Sequence, residues 1–174
     1  MAKQGLVPVF AVYSSFLQRG YDQLLQDVAL DGLHVVLGVD RAGLVGADGE
    51  THHGCFDALY LSQVPHMTVL CPASFAELRQ MLRRAVLELT GPVAVRYPRG
   101  GEGAYQDCCG NETFTQVRPG ADCTILTYGV LINEALAAAE LLHEAGVETR
   151  VVKLNAIAPL DGNAVLAALG SGKR

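Results

Sequence analysis

Four short apolar runs divide the first hundred residues and constrain the fold more than any other feature of the sequence. They cover residues 7–13, 34–39, 67–71 and 93–97 and are rich in β-branched side chains. Such runs predict strands. A strand that is apolar along its whole length, and not alternately apolar and polar, is buried on both faces, as in a parallel sheet. We therefore expect four buried strands.

Apolar residues at helical spacing separate the strands. Residues 16–30 predict a first helix, with Ser14 or Ser15 as its N-cap. Gly20 inside this helix costs about 1 kcal/mol relative to alanine, which indicates close packing or a local irregularity. Strands that alternate with helices predict an α/β fold of three layers, in which a mostly parallel sheet has helices on both faces.

Two further helices complete the alternation. Residues 54–63 predict a short helix whose inward side chains are Phe56, Leu59 and Tyr60. A longer helix begins at Ser74, which forms a capping box with Glu77 and precedes a continuous apolar stripe. Gly91 and Pro92 end the pattern before the fourth strand.

The composition changes after residue 100. Residues 101–122 are polar and glycine-rich and predict a linker with one short strand, at residues 113–117. A second α/β unit then covers residues 123–174: a strand at 123–128, a helix capped by Asn133, a strand at 149–154 and a last helix opened by residues 159–161. We expect domains at 1–100 and 123–174, the second only the beginning of a domain.

Charge and hydropathy exclude several classes of protein. The formal net charge of −5 argues against a nucleic-acid surface, and no apolar run has the length of a membrane span. No signal peptide is recognisable, so we expect a cytoplasmic protein. The five cysteines match no zinc or redox spacing and are expected to be reduced. Cys71 and Cys123 are expected in the core, whereas Cys55 lies beside a glycine-rich loop and a reactive role for it stays open; the other two are Cys108 and Cys109.

Chemically useful side chains follow the predicted strand ends. The loop at 40–54 contains Arg41, Asp48, His52, His53 and four glycines. Arginine, aspartate and histidine together can grip an anion and move a proton. Ligands of open α/β sheets bind at the carboxyl ends of strands, which is where this loop is expected. A surface turn in which Arg41 pairs with a neighbouring carboxylate is the alternative interpretation, and His52 alone can be a structural hydrogen-bonding residue.

Two other strand ends point to the same edge of the sheet. Arg99 follows the fourth strand, and two arginines from different strand ends can hold a phosphate bidentately. Tyr13 ends the first strand and is followed by Phe16 and Arg19, and an aromatic ring there can stack on a flat heterocycle. Phe16 can equally be a core residue. Arg96 lies within its strand, and we expect a structural hydrogen-bonding role for it.

Three motifs in this order resemble one known family. YSSFLQRGYDQ (13–23), DRAGLVGADGETHHGCFD (40–57) and VRYPRG (95–100) are similar to the middle, pyrimidine-binding domain of the 1-deoxy-D-xylulose-5-phosphate synthases. These enzymes are thiamine-diphosphate-dependent members of the transketolase superfamily. The residues after about 120 resemble the start of that family's C-terminal domain. The resemblance implies a thiamine-diphosphate-binding fold of the pyrimidine-binding type.

The resemblance also implies residue roles. Phe16 would stack on the aminopyrimidine ring of the cofactor, with Tyr13 and Arg19 near it. Arg41 and Arg99 would hold the phosphate of glyceraldehyde 3-phosphate. The catalytic assignments are His52 near the reacting centre, and Asp48 with Tyr13 orienting substrate. No metal ligand is assigned in this chain.

Family membership would imply condensation of pyruvate with glyceraldehyde 3-phosphate, with loss of CO2, for isoprenoid and thiamine biosynthesis, in a homodimer. The family's catalytic glutamate, and its domain for the diphosphate and Mg²⁺, have no counterpart in this sequence. We therefore expect an enzyme fragment that is inactive alone. A non-catalytic half-protein of a split transketolase-like enzyme and a stand-alone phosphosugar-binding protein are the alternatives.

Overall fold

The first unit is built on a five-stranded sheet with the order β1-β2-β4-β3-β8. The strands are β1 (Val9–Tyr13), β2 (Val36–Asp40), β3 (Thr68–Leu70), β4 (Val93–Arg96) and β8 (Ala156–Ala158). The first four are parallel, and β8 runs antiparallel to β3. This computed structural model describes residues 1–108 and 111–170. Cys109 and residues 171–174, the last four of the predicted second unit, lie outside the described residues.

Helices cover both faces of this sheet, as predicted. One face packs on α4 (Phe75–Leu87), with Met81 and Ala85 against Val36 and Val95. The other face packs on the segment after β1 and on α3 (Asp57–Ser62), with Leu61 among the core residues. Successive residues of one strand point to opposite faces, which is why β2 contributes Val36 to one cluster and the following residue, Leu37, to the other. The three-layer architecture is confirmed.

The prediction that the first strand is buried is wrong. β1 is an edge strand that pairs only with β2 among the described strands, and Val9 and Phe10 are more than half exposed. Its apolar sequence resembles that of the central strands, so the run itself does not distinguish an edge from the centre. An exposed apolar edge is a surface for further association.

The predicted helix at 16–30 is not one regular helix. It consists of α1 (Ser14–Leu17), a 3₁₀ turn (Gln18–Gly20), α2 (Tyr21–Gln23) and a π-helical segment (Leu24–Ala29). The local irregularity expected at Gly20 is therefore present. Neither serine caps this segment: Tyr13 occupies the N-cap position without a side-chain hydrogen bond, and the hydroxyls of Ser14 and Ser15 are buried and unpartnered within the described residues.

Two other helices differ in detail from their prediction. In α3 the buried residues are Asp57 and Leu61. The prediction of inward side chains is wrong for Phe56 and Leu59, which are exposed, but Tyr60 is partly buried and packs against the core. In α4 the Ser74 hydroxyl accepts from the Glu77 amide, at 3.1 Å, as the capping box requires. The Glu77 carboxylate, however, turns to other partners in the buried core.

The second unit is a three-stranded sheet with the order β5-β7-β6. It contains β5 (Phe114–Arg118), β6 (Cys123–Tyr128) and β7 (Thr149–Leu154), with α5 (Ile132–Glu144) packed on it and α6 (Gly162–Leu169) following. Asn133 lies inside α5 and not at its N-cap; its carboxamide oxygen accepts from the Tyr105 amide instead, at 2.9 Å. Asp161 caps α6 as predicted, by accepting from the Ala164 amide.

Strand pairing joins the two units. β8 follows β7 after a single residue and yet completes the sheet of the first unit beside β3. Ala73 of the first unit also packs in one cluster with Tyr105, Ile132 and Val151. A continuous set of contacts therefore links residues on both sides of the predicted linker. Within the described residues, no helix is long and apolar enough to cross a membrane.

Candidate functional site

The carboxyl ends of β1, β2 and β4 meet at one edge of the sheet. Tyr13 is the register partner of Asp40, and Val39 is the partner of Arg96. The backbone continues this contact past the strands, because the Ala42 amide donates to the Tyr97 carbonyl at 3.0 Å. The three motif loops therefore lie together, as the sequence predicts.

Aromatic rings form one side of the site. The rings of Tyr13 and Phe16 are stacked, with centroids 5.3 Å apart and planes inclined by 16°. The His52 ring meets Phe16 edge-on at 5.2 Å. Phe16 remains 41% exposed despite these contacts. It is thus a partly open ring on a packed support, and not a core residue.

Arg41 connects the aromatic side to the acidic groups. Its guanidinium carbon lies 3.8 Å from the centroid of the Tyr13 ring. The same group donates to Asp40 at 2.6 Å and to Asp48 at 3.0 Å. Arg41 has a φ of 58°, which is uncommon for a residue other than glycine and is found at functional sites. The ion pairs of Arg41 with Asp40 and Asp48, which the alternative interpretation predicts, are therefore both present.

Asp48 bridges the two predicted phosphate-binding arginines. Its second carboxylate oxygen accepts from Arg99. Partial desolvation raises the pKa of Asp48, but the hydrogen bond from Arg41 and the charges of Arg99, Arg41 and His52 outweigh it and hold that pKa below its ordinary value. The carboxylate therefore holds two cations next to each other, and an anionic ligand would compete with it for them.

Backbone contacts close the loop that contains these residues. Gly43 and Gly54 exchange two hydrogen bonds of 2.8 Å. A Cβ at Gly54 would lie 2.4 Å from the Arg41 carbonyl oxygen and 2.5 Å from the Ser14 hydroxyl, so only glycine allows this approach. The sequence alone does not distinguish Gly54 from the other loop glycines, because the close approach to Arg41 and Ser14 appears only in the fold.

The two histidines of the loop differ in their contacts. Nδ1 of His53 accepts from the Val45 amide at 3.1 Å, so His53 stabilises the loop from within. Nδ1 of His52 is 2.9 Å from the hydroxyl of Thr51, and its ring faces Phe16. Arg19 is exposed, and no hydrogen bond or ion pair to it is found within residues 1–108 and 111–170. The structure thus brings together all the predicted site residues except Arg19.

Arg96 has the structural role expected for it. It forms a bidentate pair with Asp57, at 2.8 and 3.1 Å, and Asp57 is fully buried. Burial lowers the pKa of Arg96, but the hydrogen bond to Asp57 and neighbouring charges outweigh it and raise that pKa. The sequence does not reveal this role of Asp57, because an acidic residue at the start of a short helix is also typical of an exposed first turn.

The described cysteines differ in burial and surroundings. Cys71 is buried, as predicted, and burial raises its pKa to about 11. Cys123 is partly buried, within β6. Cys55 is exposed and lines a cavity of about 450 Å³ between the loop and the β6–α5 turn. Within the described residues, no group of three or more histidine, cysteine, aspartate or glutamate side chains is placed to hold a metal ion.

Family comparison agrees with the fold. The transketolase pyrimidine-binding domain family matches residues 1–102, and the transketolase C-terminal domain family matches residues 113–174. The chain belongs to the transketolase family, whose members are thiamine-diphosphate-dependent transferases. Within that family it is similar to the 1-deoxy-D-xylulose-5-phosphate synthases of Chlorobaculum tepidum, at 49% identity over 170 residues, and of Bacillus velezensis, at 44% over 177.

These matches cover most of this chain but a small part of the relatives. The two alignments include 92% and 99% of this chain and 26% and 28% of the respective synthases, so the chain spans about a quarter of the length of the curated relatives it matches.

Solved structures show the same fold. A protein described as a split gene transketolase, an inactive β4 tetramer, superimposes with a TM-score of 0.84 at 26% identity, over 96% of this chain and 55% of that one. A transketolase of Pichia stipitis superimposes with a TM-score of 0.80 at 16% identity, over 92% of this chain and 25% of its own.

Proposed function

We propose that this chain supplies the pyrimidine side of the active site of a 1-deoxy-D-xylulose-5-phosphate synthase. The reaction would condense pyruvate with glyceraldehyde 3-phosphate and release CO2. The observation behind this proposal is one unbroken line of contacts, in the order His52, Phe16, Tyr13, Arg41, Asp48 and Arg99. It places an aromatic platform at one end and two arginines at the other.

Thiamine diphosphate fits the platform end. A flat pyrimidine ring can stack on the exposed part of Phe16, whose position is held by ring contacts with Tyr13 and His52. The buried, unpartnered hydroxyls of Ser14 and Ser15 lie in the same segment. When bound, the cofactor supplies the electron sink for breaking and forming the carbon–carbon bonds. We assign the diphosphate and Mg²⁺ to residues outside the ranges 1–108 and 111–170.

The arginines fit the phosphate of the acceptor aldehyde. Two guanidinium groups can present several N–H donors to one phosphate. Asp48 holds Arg41 and Arg99 together and would exchange its hydrogen bonds for those of the phosphate. In this arrangement Asp48 keeps the cations in position before substrate binds. Through its ion pairs with Arg41 and Arg99, Asp48 would orient the substrate indirectly.

His52 is the group suited to proton transfer. Histidine exchanges protons near neutral pH, and its ring touches the platform on which the pyrimidine ring would lie. We propose that His52 moves a proton at the reacting centre. Tyr13 would orient Arg41 through the cation–π contact between its ring and the guanidinium group.

A second candidate function is supported by the structural neighbour. That neighbour is described as the product of a split gene and as an inactive β4 tetramer. This chain could likewise be a half-protein that completes its site with a separate partner. The exposed apolar edge at β1 is available for association, and we propose self-association to at least a dimer, in the cytoplasm.

A chimera tests the first proposal. Residues 1–174 would replace the matching segment of the Chlorobaculum tepidum synthase, and we expect the product to form from pyruvate and glyceraldehyde 3-phosphate with CO2 release. A folded chimera that binds thiamine diphosphate but releases no CO2 would contradict the proposal. We expect the purified 174-residue chain to make no product alone with cofactor and Mg²⁺. Turnover by that chain would contradict the proposal that it supplies only one side of the active site.

A further inference from the structure

A buried polar cluster links the two units beneath the site. The cluster consists of four side chains: Glu77 of α4, Lys153 of β7, Asn155 and Tyr105. Lys153 Nζ lies 2.9 and 3.1 Å from the two carboxylate oxygens of Glu77, and it also donates to the side-chain oxygen of Asn155. Both charged side chains are fully buried. Buried charges are tolerated only when paired and hydrogen-bonded.

The Glu77 carboxylate has partners in three parts of the chain. It accepts from the Ala73 amide at 2.8 Å, from Lys153 and from the Tyr105 hydroxyl at 3.1 Å. The first partner fixes the turn after β3, the second fixes the second unit, and the third fixes the segment after β4. No other buried side chain described above joins three such distant segments.

The segment fixed by Tyr105 is the one that begins with Arg99. Four hydrogen bonds hold residues 102–107 against α4 and α5. The Phe75 amide donates to Glu102 at 2.8 Å, and the Ser74 hydroxyl donates to the Asp107 carbonyl at 2.8 Å. Tyr105 provides the other two, through its hydroxyl and through its amide.

The residues between Arg99 and this anchor are flexible by composition. Only Gly100 and Gly101 separate Arg99 from Glu102, and Gly100 has a φ of 124°. Glycines have more backbone freedom than other residues and do not fix this segment by themselves. Its position therefore depends on β4 on one side and, on the other, on the anchor that begins two glycines after Arg99. A cavity of about 300 Å³ lies beside Arg99. It is lined by the segment after β4, including Glu102, and by Ser74 and Phe75 at the N-cap and start of α4.

We infer that the buried Glu77–Lys153 pair positions Arg99, so that a lysine of the second unit determines the geometry of an anion-binding arginine in the first. Without Lys153, the Glu77 carboxylate would be a buried charge with only neutral donors. Water would then enter the cluster to solvate this charge, and the packing that holds Tyr105 in place would loosen. Glu77, Lys153 and Tyr105 are positioning residues and touch no substrate. The effect on phosphate binding rests on the proposed function, whereas the effect on the segment does not.

Hydrogen exchange of the 174-residue chain tests the segment directly. In Lys153→Met, which keeps the length but removes the charge, we expect amides of residues 98–107 to exchange about tenfold faster. Strand β2 is expected to keep its protection. The Glu77→Gln/Lys153→Met double variant removes both charges and should recover most of the protection. Lys3→Met is the matched control, because Lys3 pairs with Asp31 at the surface.

Binding of inorganic phosphate, measured by calorimetry, is the second readout. We expect about fivefold weaker binding in Lys153→Met and recovery in the double variant. Equal acceleration of exchange in all segments, or no change at 98–107, would overturn the inference. If Lys153→Met does not fold, Tyr105→Phe decides in the same way, with faster exchange confined to 98–107. Absence of phosphate binding by the unmodified chain would count against the proposed function alone, because the exchange result still decides the positioning role.

Discussion

The chain has two arginine–aspartate sites at the same edge of one sheet, and their environments differ. Arg96 and Asp57 form a closed bidentate pair in which Asp57 is fully buried and the Arg96 side chain is 11% exposed. Arg99, three residues later, pairs with Asp48, and these side chains are 46% and 22% exposed. The same two residue types thus form a buried pair, which we call the dry pair, and a solvent-accessible pair, which we call the wet pair, at one edge of the sheet.

The difference supports a structural role for Arg96 and the proposed ligand-binding role for Arg41 and Arg99. Asp57 uses both oxygens on one guanidinium, so an added anion would have to break a buried pair. Asp48 divides its oxygens between Arg41 and Arg99 and leaves other N–H donors of both groups available. Exchange of one anion for another costs little where water already reaches the charges. The residue type alone therefore does not distinguish the two sites, whereas the way each carboxylate is shared does.

The largest expected effect concerns the dry pair. Asp57→Ala leaves the Arg96 charge buried without its partner, and we expect the free energy of unfolding to fall by about 3–5 kcal/mol. Urea unfolding followed by circular dichroism measures it. Asp48→Ala is the matched control, since it removes an aspartate from the wet pair, and its effect on stability should be much smaller. Equal losses in the two variants would mean that burial does not distinguish the sites.

The next effect concerns ligand affinity. In the chimera, Arg99→Ala removes one charged donor from the phosphate and should weaken the apparent affinity for glyceraldehyde 3-phosphate by roughly 2–3 kcal/mol. We expect the same for Arg41→Ala and little change in the KM for pyruvate in either case. Arg118→Ala, which breaks an ion pair with Glu140 at the surface, is the control. An unchanged KM for the aldehyde would remove Arg99 from the binding site.

Much of this fold follows from local sequence. The strands Cys123–Tyr128 and Thr149–Leu154 begin and end at the predicted residues, because polar or glycine turn residues flank each apolar run. The central strands follow from continuous apolar runs. What local sequence does not contain is position within the sheet: β1 resembles a central strand and is an edge strand, because its neighbours are set by the whole topology.

The errors share the same physical origin. β8 was missed because three residues immediately after another strand give no separate signal, and its partner β3 lies more than eighty positions earlier. For the site, the sequence identified side chains whose loops lie together at the carboxyl ends of β1, β2 and β4. It did not identify Asp57, nor the pair of Glu77 with Lys153, which are 76 positions apart. Pairs at such separation leave no periodicity to detect.

The smallest expected effect sharpens the comparison at the wet pair. The pKa of Asp48 lies below its ordinary value of 3.8, partly because of the Arg99 charge. Arg99→Ala should therefore raise this pKa toward the ordinary value, and carboxyl ¹³C chemical shifts followed against pH measure it. A group with a depressed pKa stabilises the fold above its unfolded-state pKa and loses that contribution as pH falls through the folded-state pKa.

For Asp48 the relevant window thus lies at and below about pH 4, set by its ordinary pKa. There the stability difference between the unmodified chain and Asp48→Asn should narrow as pH falls, while the two should differ most near neutrality. Arg118→Ala should leave the Asp48 pKa unchanged. If Arg99→Ala also leaves it unchanged, then Arg41 alone holds the carboxylate, and Asp48 does not couple the two arginines that the phosphate would share.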